Sequence, residues 1–387
     1  DRRDVWPHPH LPTLGGACYR GRKSLRKRSY IVGRYEKAER ASREGIMNDH
    51  PIARRTLIAG AGFGIGAGLI GGVAPARAEA AEPAAGNIWS GEYWANKGDV
   101  KLFMYRKRVG APAAGTQPLP VLFLVHGSSL SSLSSYDLTV PGKGEYSLMD
   151  VFARYGFDVW TMDHEGYGRS TVTSGNSDIA SGVADLTAGL DVLQRETGRT
   201  KYHVFGESSG AIRAGAFAQA KPDRIERLIL TAFTYKGNGA AEIGRRKDHL
   251  AELQASPRRK RDASMIHSIF SRDGHPAAYD PAVGDALVAV EMKYGDSVPA
   301  GTYIDMAANL PLVDPTKVTC PVLMTRGEWD GNSTNADLLD FFAQLPNGDR
   351  QYVILPNTSH SEVFGKNRQL LWYAMKNFLS EPAPEAS

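Results

Sequence analysis

The chain has 387 residues, 42% hydrophobic and 23% charged, a soluble globular composition with room for one large domain or two modest ones; fibrous and wholly disordered readings are excluded. Its net charge of +4 is unevenly held: residues 1–78 carry 15 Lys/Arg against 6 Asp/Glu, and the remaining 309 carry 31 against 36. The basic character belongs to the N-terminal fifth, so no nucleic acid or other acidic partner is needed to explain it.

Residues 1–46 include Arg22-Lys23-Ser24-Leu25-Arg26-Lys27-Arg28 and have no apolar periodicity able to bury a face; disorder, or an upstream extension absent from the mature protein, is expected there. From Met47 the pattern changes. Arg54-Arg55, a weakly apolar stretch to Val73 and Ala76-Arg77-Ala78 follow in the order of an export signal over 47–78. The arginine pair resembles the twin-arginine class, with cleavage expected after Ala78 and a destination in the bacterial periplasm or outside the cell. Glycines at 60, 62, 64, 66 and 68 mimic a dinucleotide fingerprint, but a fingerprint follows a buried strand and this run follows two arginines. Seven glycines between 57 and 73 favour removal over a permanent membrane anchor. Cys18 lies in this leader, which leaves Cys320 alone in the mature chain with no intrachain disulfide to form.

After an Ala/Glu/Pro linker at 79–86, two strand-like runs at 88–94 and 100–108 flank Asn96-Lys97-Gly98-Asp99 and predict a hairpin. Apolar β-branched runs then alternate with helical patterns: a strand at 121–125, a helix near 146–155, a strand at 157–162, a helix at 180–197, a strand ending at Phe205, a helix from 209, and a strand at 228–230. Continuous apolar strands separated by amphipathic helices imply an α/β fold, a mostly parallel sheet covered on both faces. Between 234 and 317 the alternation stops in a charged, helix-prone stretch with no evident buried strand, which is expected to form a cap over the strand ends. Its clusters Arg245-Arg246-Lys247 and Arg258-Arg259-Lys260-Arg261 read as solvated helix faces. Tyr279, Met292, Tyr294, Tyr303 and Met306 within it could line a pocket or form ordinary cap core. The alternation resumes at 322–324, then a helix near 334–345, a strand at 352–355 and a last helix near 367–379.

The sharpest chemical signal is Gly206-Glu207-Ser208-Ser209-Gly210 between a strand and a helix. A nucleophile on a sharp strand-to-helix turn needs neighbours without side chains, and the first amides of the helix then face whatever binds there. This G-x-S-x-G turn in its strand-turn-helix setting resembles the α/β-hydrolase family over residues 88–380. The resemblance implies a triad in the chain order Ser, acid, His on loops after successive strands. Asp330, in Arg326-Gly327-Glu328-Trp329-Asp330-Gly331, stands 122 residues beyond Ser208 and directly after a strand. His360 follows the next strand and is the only histidine after Asp330. Glu328 is the rival acid, with a salt bridge at the loop base as its bland alternative. Asp163 is expected to tie down a turn, and Glu207 to anchor the elbow. His126-Gly127-Ser128-Ser129 resembles the family's oxyanion loop, which implies that the Ser128 and Ser209 amides bind the oxyanion.

The expectation is therefore a serine hydrolase that cleaves small-molecule carboxylic esters through Ser208, Asp330 and His360, without cofactor or metal. A lactone or carbon–carbon bond hydrolase with the same triad is the alternative, and a catalytically silent binding protein the rival of another class.

Overall fold

Five runs with few charges, at 121–125, 158–162, 202–207, 225–231 and 322–327, are buried along their length apart from Glu226 and form the centre of an eight-stranded sheet in a computed structural model that describes residues 86–382. The strands are β1 (Ile88–Lys97), β2 (Val100–Val109), β3 (Val121–Val125), β4 (Asp158–Met162), β5 (Tyr202–Glu207), β6 (Ile225–Thr231), β9 (Val322–Gly327) and β10 (Arg350–Leu355), in the order β1-β2-β4-β3-β5-β6-β9-β10. The expected hairpin is present as β1–β2, β2 runs antiparallel to β4, and every other neighbour is parallel. The sheet is thus the mostly parallel one that the alternation predicts, and it has the α/β-hydrolase topology that the resemblance implies. The expected leader, its export signal and cleavage site, and Cys18 lie outside the described residues. Among the described residues no helix is long and apolar enough to cross a membrane.

Successive side chains of a strand point to opposite faces, and β3 divides accordingly. Phe123 and Val125 pack with Ile212 and Phe217 in one core cluster, while Leu122 and Leu124 pack with Phe152 and Trp372 in the other. Helices α1 (Ser132–Tyr136), α2 (Leu148–Arg154), α3 (Ile179–Thr197) and α4 (Ser209–Ala220) connect the early strands. Asp178 caps α3 by accepting from the Ser181 amide, and Gly198 ends it in the left-handed conformation. Cys320 is buried as a free thiol, which pushes its pKa up to about 12.

Between β6 and β9 the chain forms α5 (Ala241–Asp248), α6 (Leu250–Gln254), β7 (Arg258–Lys260), α7 (Ala263–Ser268), α8 (Pro281–Glu291), β8 (Ser297–Pro299) and α9 (Gly301–Ala308); α10 (Asn335–Gln344) and α11 (Arg368–Ser380) follow. The antiparallel pair β7–β8 has no counterpart among the expected elements, because two three-residue strands, one of them wholly basic, are too short to show a period. Of the basic clusters, Arg245 and Lys247 on α5 are exposed, as expected, and so is Lys260, whereas Arg258 and Arg261 turn inward. Arg258 donates to the carbonyls of Gly166 (3.1 Å) and Ser297 (2.7 Å), and Arg261 is buried against Glu291.

A buried ion pair ties the hairpin to the parallel sheet. Arg106 on β2 donates from Nε and Nη2 to the two carboxylate oxygens of Asp158 on β4, at 2.8 and 2.5 Å, with both residues almost fully enclosed. Removing one partner strands the other charge, so Asp158→Ala is expected to cost about 3–5 kcal/mol. An unfolding free energy from urea titration lowered by less than a fifth of that amount would contradict it.

Candidate active site

Strand β5 ends at Glu207 and α4 starts at Ser209, so the whole change of direction falls on Ser208, whose φ of 59° and ψ of −127° lie in the left-handed half of backbone space. Few residues other than glycine adopt such a φ, and the surroundings must enforce it. Two glycines allow it. A Cβ on Gly206 would sit 2.3 Å from the Gly210 carbonyl oxygen, and one on Gly210 would sit 2.2 Å from that of Val125. The Ser208 amide still donates to Thr231 on β6 at 3.0 Å, which extends the sheet ladder to the turn itself.

The three residues expected to act together meet. Ser208 Oγ lies 2.9 Å from His360 Nε2, and His360 Nδ1 donates to Asp330 Oδ1 at 2.8 Å. His360 and Asp330 are buried, 2% and 3% exposed, so the pair is shielded from water. Asp330 follows β9, on a loop shaped by the buried Arg326, whose guanidinium donates to the carbonyls of Gly327, Glu328, Asp330 and Ser333. Burial alone would raise the Asp330 carboxyl. The His360 imidazole, the Asn332 amide and the Arg326 charge outweigh burial and hold its pKa below the ordinary carboxylate value. Glu328, the rival, is exposed and accepts from the Asn357 amide at 2.8 Å, on the outside of the same loop and away from His360.

The loop after β3 supplies the other side. His126 donates from Nδ1 to the Gly127 carbonyl, and its Nε2 accepts from the His164 amide at 3.1 Å. Burial, then the neighbouring His164 and Arg213, drive its pKa well down, which keeps it neutral in this role. Tyr167 donates its hydroxyl to the Ser128 carbonyl at 2.9 Å. The Ser128 and Ser209 side chains touch at 2.6 Å, which brings their backbones together beside Ser208, and neither amide has a partner among the described residues. Asp163 accepts from the amides of Ser132 and Arg169 and so ties down the turn, as expected; burial pushes its pKa up to about 6.

Two contacts at the site had no counterpart in the sequence reading. Asn332 donates its side-chain amide to His360 Nε2 at 2.9 Å, beside the serine hydroxyl. With the Nδ1 proton given to Asp330, both donors aim at the single lone pair on Nε2. Asp273, from the inserted segment, accepts from the backbone amide of His360 at 2.9 Å. Asn332 lies two residues beyond Asp330, just past the Arg326–Gly331 motif, where an uncharged amide carries no signal of its own, and nothing local marks Asp273.

The family Hydrolase_4, described as serine aminopeptidase, S33, matches residues 140–367, well over half of the chain, and the matched stretch spans Ser208, Asp330 and His360. The chain belongs to this family. It is a hydrolase of the α/β-hydrolase superfamily, although the loop at 126–129 precedes the matched stretch. Among solved structures, this hydrolase is similar to E-2-(acetamidomethylene)succinate hydrolase, at 18% identity and a TM-score of 0.55, over 76% of this chain and 100% of that one. It is also similar to a thermophilic esterase from Thermogutta terrifontis (18% identity, TM-score 0.53, 75% of this chain and 98% of that) and to the enol-lactonase from Burkholderia xenovorans LB400 (18%, 0.51, 75% and 100%). At these identities the likeness establishes the fold alone. No curated protein matches the chain.

Glu207 anchors this hydrolase's elbow to the histidine loop by accepting from the Val363 amide at 3.4 Å. Burial pushes its pKa up to about 8. A carboxyl whose folded pKa is raised stabilises the fold fully below its unfolded value near 4.5, and that contribution is lost as the pH climbs through 8. Glu207→Gln should therefore melt higher than wild type at pH 8.5 and close to it at pH 5. Melting curves that differ equally at both pH values would refute the assignment.

Proposed function

We propose that this hydrolase cleaves carboxylic esters through an acyl-enzyme on Ser208. One observation carries the reading: an unbroken relay from Ser208 through His360 to Asp330 stands beside two backbone amides that have no partner among the described residues. The Nδ1–H···Asp330 bond fixes the imidazole tautomer, so Nε2 carries the lone pair that takes the serine proton once the Asn332 amide gives way. The Ser208 oxygen then bonds to the ester carbonyl carbon, and the carbonyl oxygen takes the electron pair and rests against the Ser128 and Ser209 amides. Preorganised donors of this kind lower the barrier by about 3–4 kcal/mol each. Collapse breaks the bond to the alcohol, which leaves with the proton held on His360. Water, deprotonated by the same nitrogen, attacks the acyl carbon and releases the acid and Ser208.

The inserted segment serves as the cap in this reading, supported by Thr302 and Tyr303 of α9, whose hydroxyls bond Ser128 (2.8 Å) and Ser129 (2.7 Å) of the oxyanion loop. Export after cleavage behind Ala78 belongs to the same proposal and rests on the order of segments in 47–78. N-terminal sequencing of the protein recovered outside the cytoplasm should read Glu79 first; a residue far upstream would remove export from the proposal.

Wild-type protein is expected to hydrolyse 4-nitrophenyl acetate, and Ser208→Ala to lose about 10⁴-fold or more in kcat/KM with an unchanged unfolding midpoint. Asp330→Asn should cost about 10⁴-fold in kcat, while Glu328→Gln stays within about twofold. Equal rates for wild type and Ser208→Ala would end the ester reading, and turnover of lactones without open-chain esters would move it to lactones.

A further inference from the structure

The space in front of Ser208 is small, about 40 Å³ bounded by Gly127, Ser128, Ser208 and His360, enough for about three waters or a short carbonyl-bearing fragment. Ser129, Ile269 and Arg272 form part of this wall and also part of the wall of a much larger cavity, about 430 Å³, built by the inserted segment. That is the size of a small-molecule site. The larger cavity is basic. Arg245, Arg246, Arg259, Lys260 and Arg272 line it, against two carboxylates, Glu242 and Glu252.

Those carboxylates are already engaged. Glu242 pairs with Arg245, Glu252 lies 3.1 Å from His249, and Lys260 finds Asp262 at 3.1 Å. Arg246, Arg259 and Arg272 have no carboxylate partner among the described residues. Arg272, which faces both spaces, has a buried Nε with no hydrogen-bond partner. Among the described residues the only hydrogen-bond partner of the Arg246 guanidinium is the Met306 sulfur at 2.9 Å, and it shares the Tyr303 ring with Arg259 at 5.5 and 4.3 Å. Tyr303 in turn bonds Ser129 beside the oxyanion loop, so the basic wall and the reacting centre are parts of one surface. Enclosure, and after it the charge of Arg272, pulls the Arg246 pKa down to about 10. Three forked donors gathered without a counter-charge leave both charge and hydrogen-bonding capacity unsatisfied, and a planar or tetrahedral oxyanion supplies both at once. A neutral ester offers acceptor oxygens but no counter-charge.

We propose that the ester cleaved here carries an oxyanion, a carboxylate or a phosphate, which Arg246, Arg259 and Arg272 hold in the basic cavity while the carbonyl reaches Ser208. The proposal rests on the ester reading for its chemistry but not for its test. The intact Ser208→Ala protein is titrated calorimetrically with monomethyl glutarate, methyl phosphate and the neutral dimethyl glutarate. At least one anion should bind about tenfold or more tightly than the neutral diester, and the one that does identifies the group. Adding Arg272→Gln or Arg246→Gln should remove most of that preference; neither substitution breaks a carboxylate pair within the fold, and circular dichroism confirms that each variant is folded. Equal affinity for all three compounds, or a preference that survives both substitutions, overturns the proposal. Hydrolysis of 4-nitrophenyl acetate by wild type reports separately on Ser208, so a neutral-preferring esterase and an anion-binding protein without esterase activity give different results.

Discussion

Ser208 keeps a backbone conformation that its side chain disfavours, and the geometry of the site is measured from that residue. The turn is held from three directions: the Ser208 amide stays in the sheet ladder, Gly206 lets the first turn of α4 fold back onto β5, and Gly210 lets α4 press against the end of β3. Relaxing φ toward the ordinary region would swing Oγ away from His360 and the α4 amide away from Ser128. The parallel order of β3, β5, β9 and β10 does the rest, because loops leaving the same ends of neighbouring strands converge on one edge without long connections.

The acid side of the site is arranged as one charge among neutral carboxyls. Glu362 is fully enclosed and accepts from the Gly327 amide at 3.0 Å and the Thr325 hydroxyl at 2.7 Å. Burial drives its pKa well above the carboxylate range, and Glu207 is pushed the same way. Asp330, no less buried, is pulled in the opposite direction by His360 and its loop. The environments of three neighbouring carboxyls thus divide them, so the negative charge collects behind the imidazole, where it can stabilise the cation formed when the serine proton arrives.

How much of this was legible in the sequence depends on distance along the chain. The elbow, the acid and the histidine each sit directly after an apolar strand, so strand order alone brought them together, and Ser128 followed from the same rule at β3. Asp163 and Glu207 could also be assigned correctly, since each acts on loops that meet at the same strand ends. Between Glu328 and Asp330 the family's loop position already favours Asp330; what the sequence does not show is the cause, the Arg326 guanidinium that gathers the loop's carbonyls while Glu328 stays outside. The arginines of the inserted segment show the limit most clearly. Their clustering was visible, but whether a cation is solvated, paired or left facing a cavity depends on the carboxylates that reach it from elsewhere, and no periodicity encodes that.

The bond from the His360 backbone amide to Asp273 fastens the base loop to the inserted segment, with Tyr279 accepting from the Ser361 amide at 3.0 Å alongside it. The insertion is consequently not an interchangeable part. A chimera that grafted the corresponding segment of another family member onto this sheet would inherit the elbow and the Asp330 loop intact, yet it would leave two amides of the histidine loop without acceptors. Transplanting a substrate pocket in this hydrolase therefore means transplanting, or rebuilding, the support of its general base.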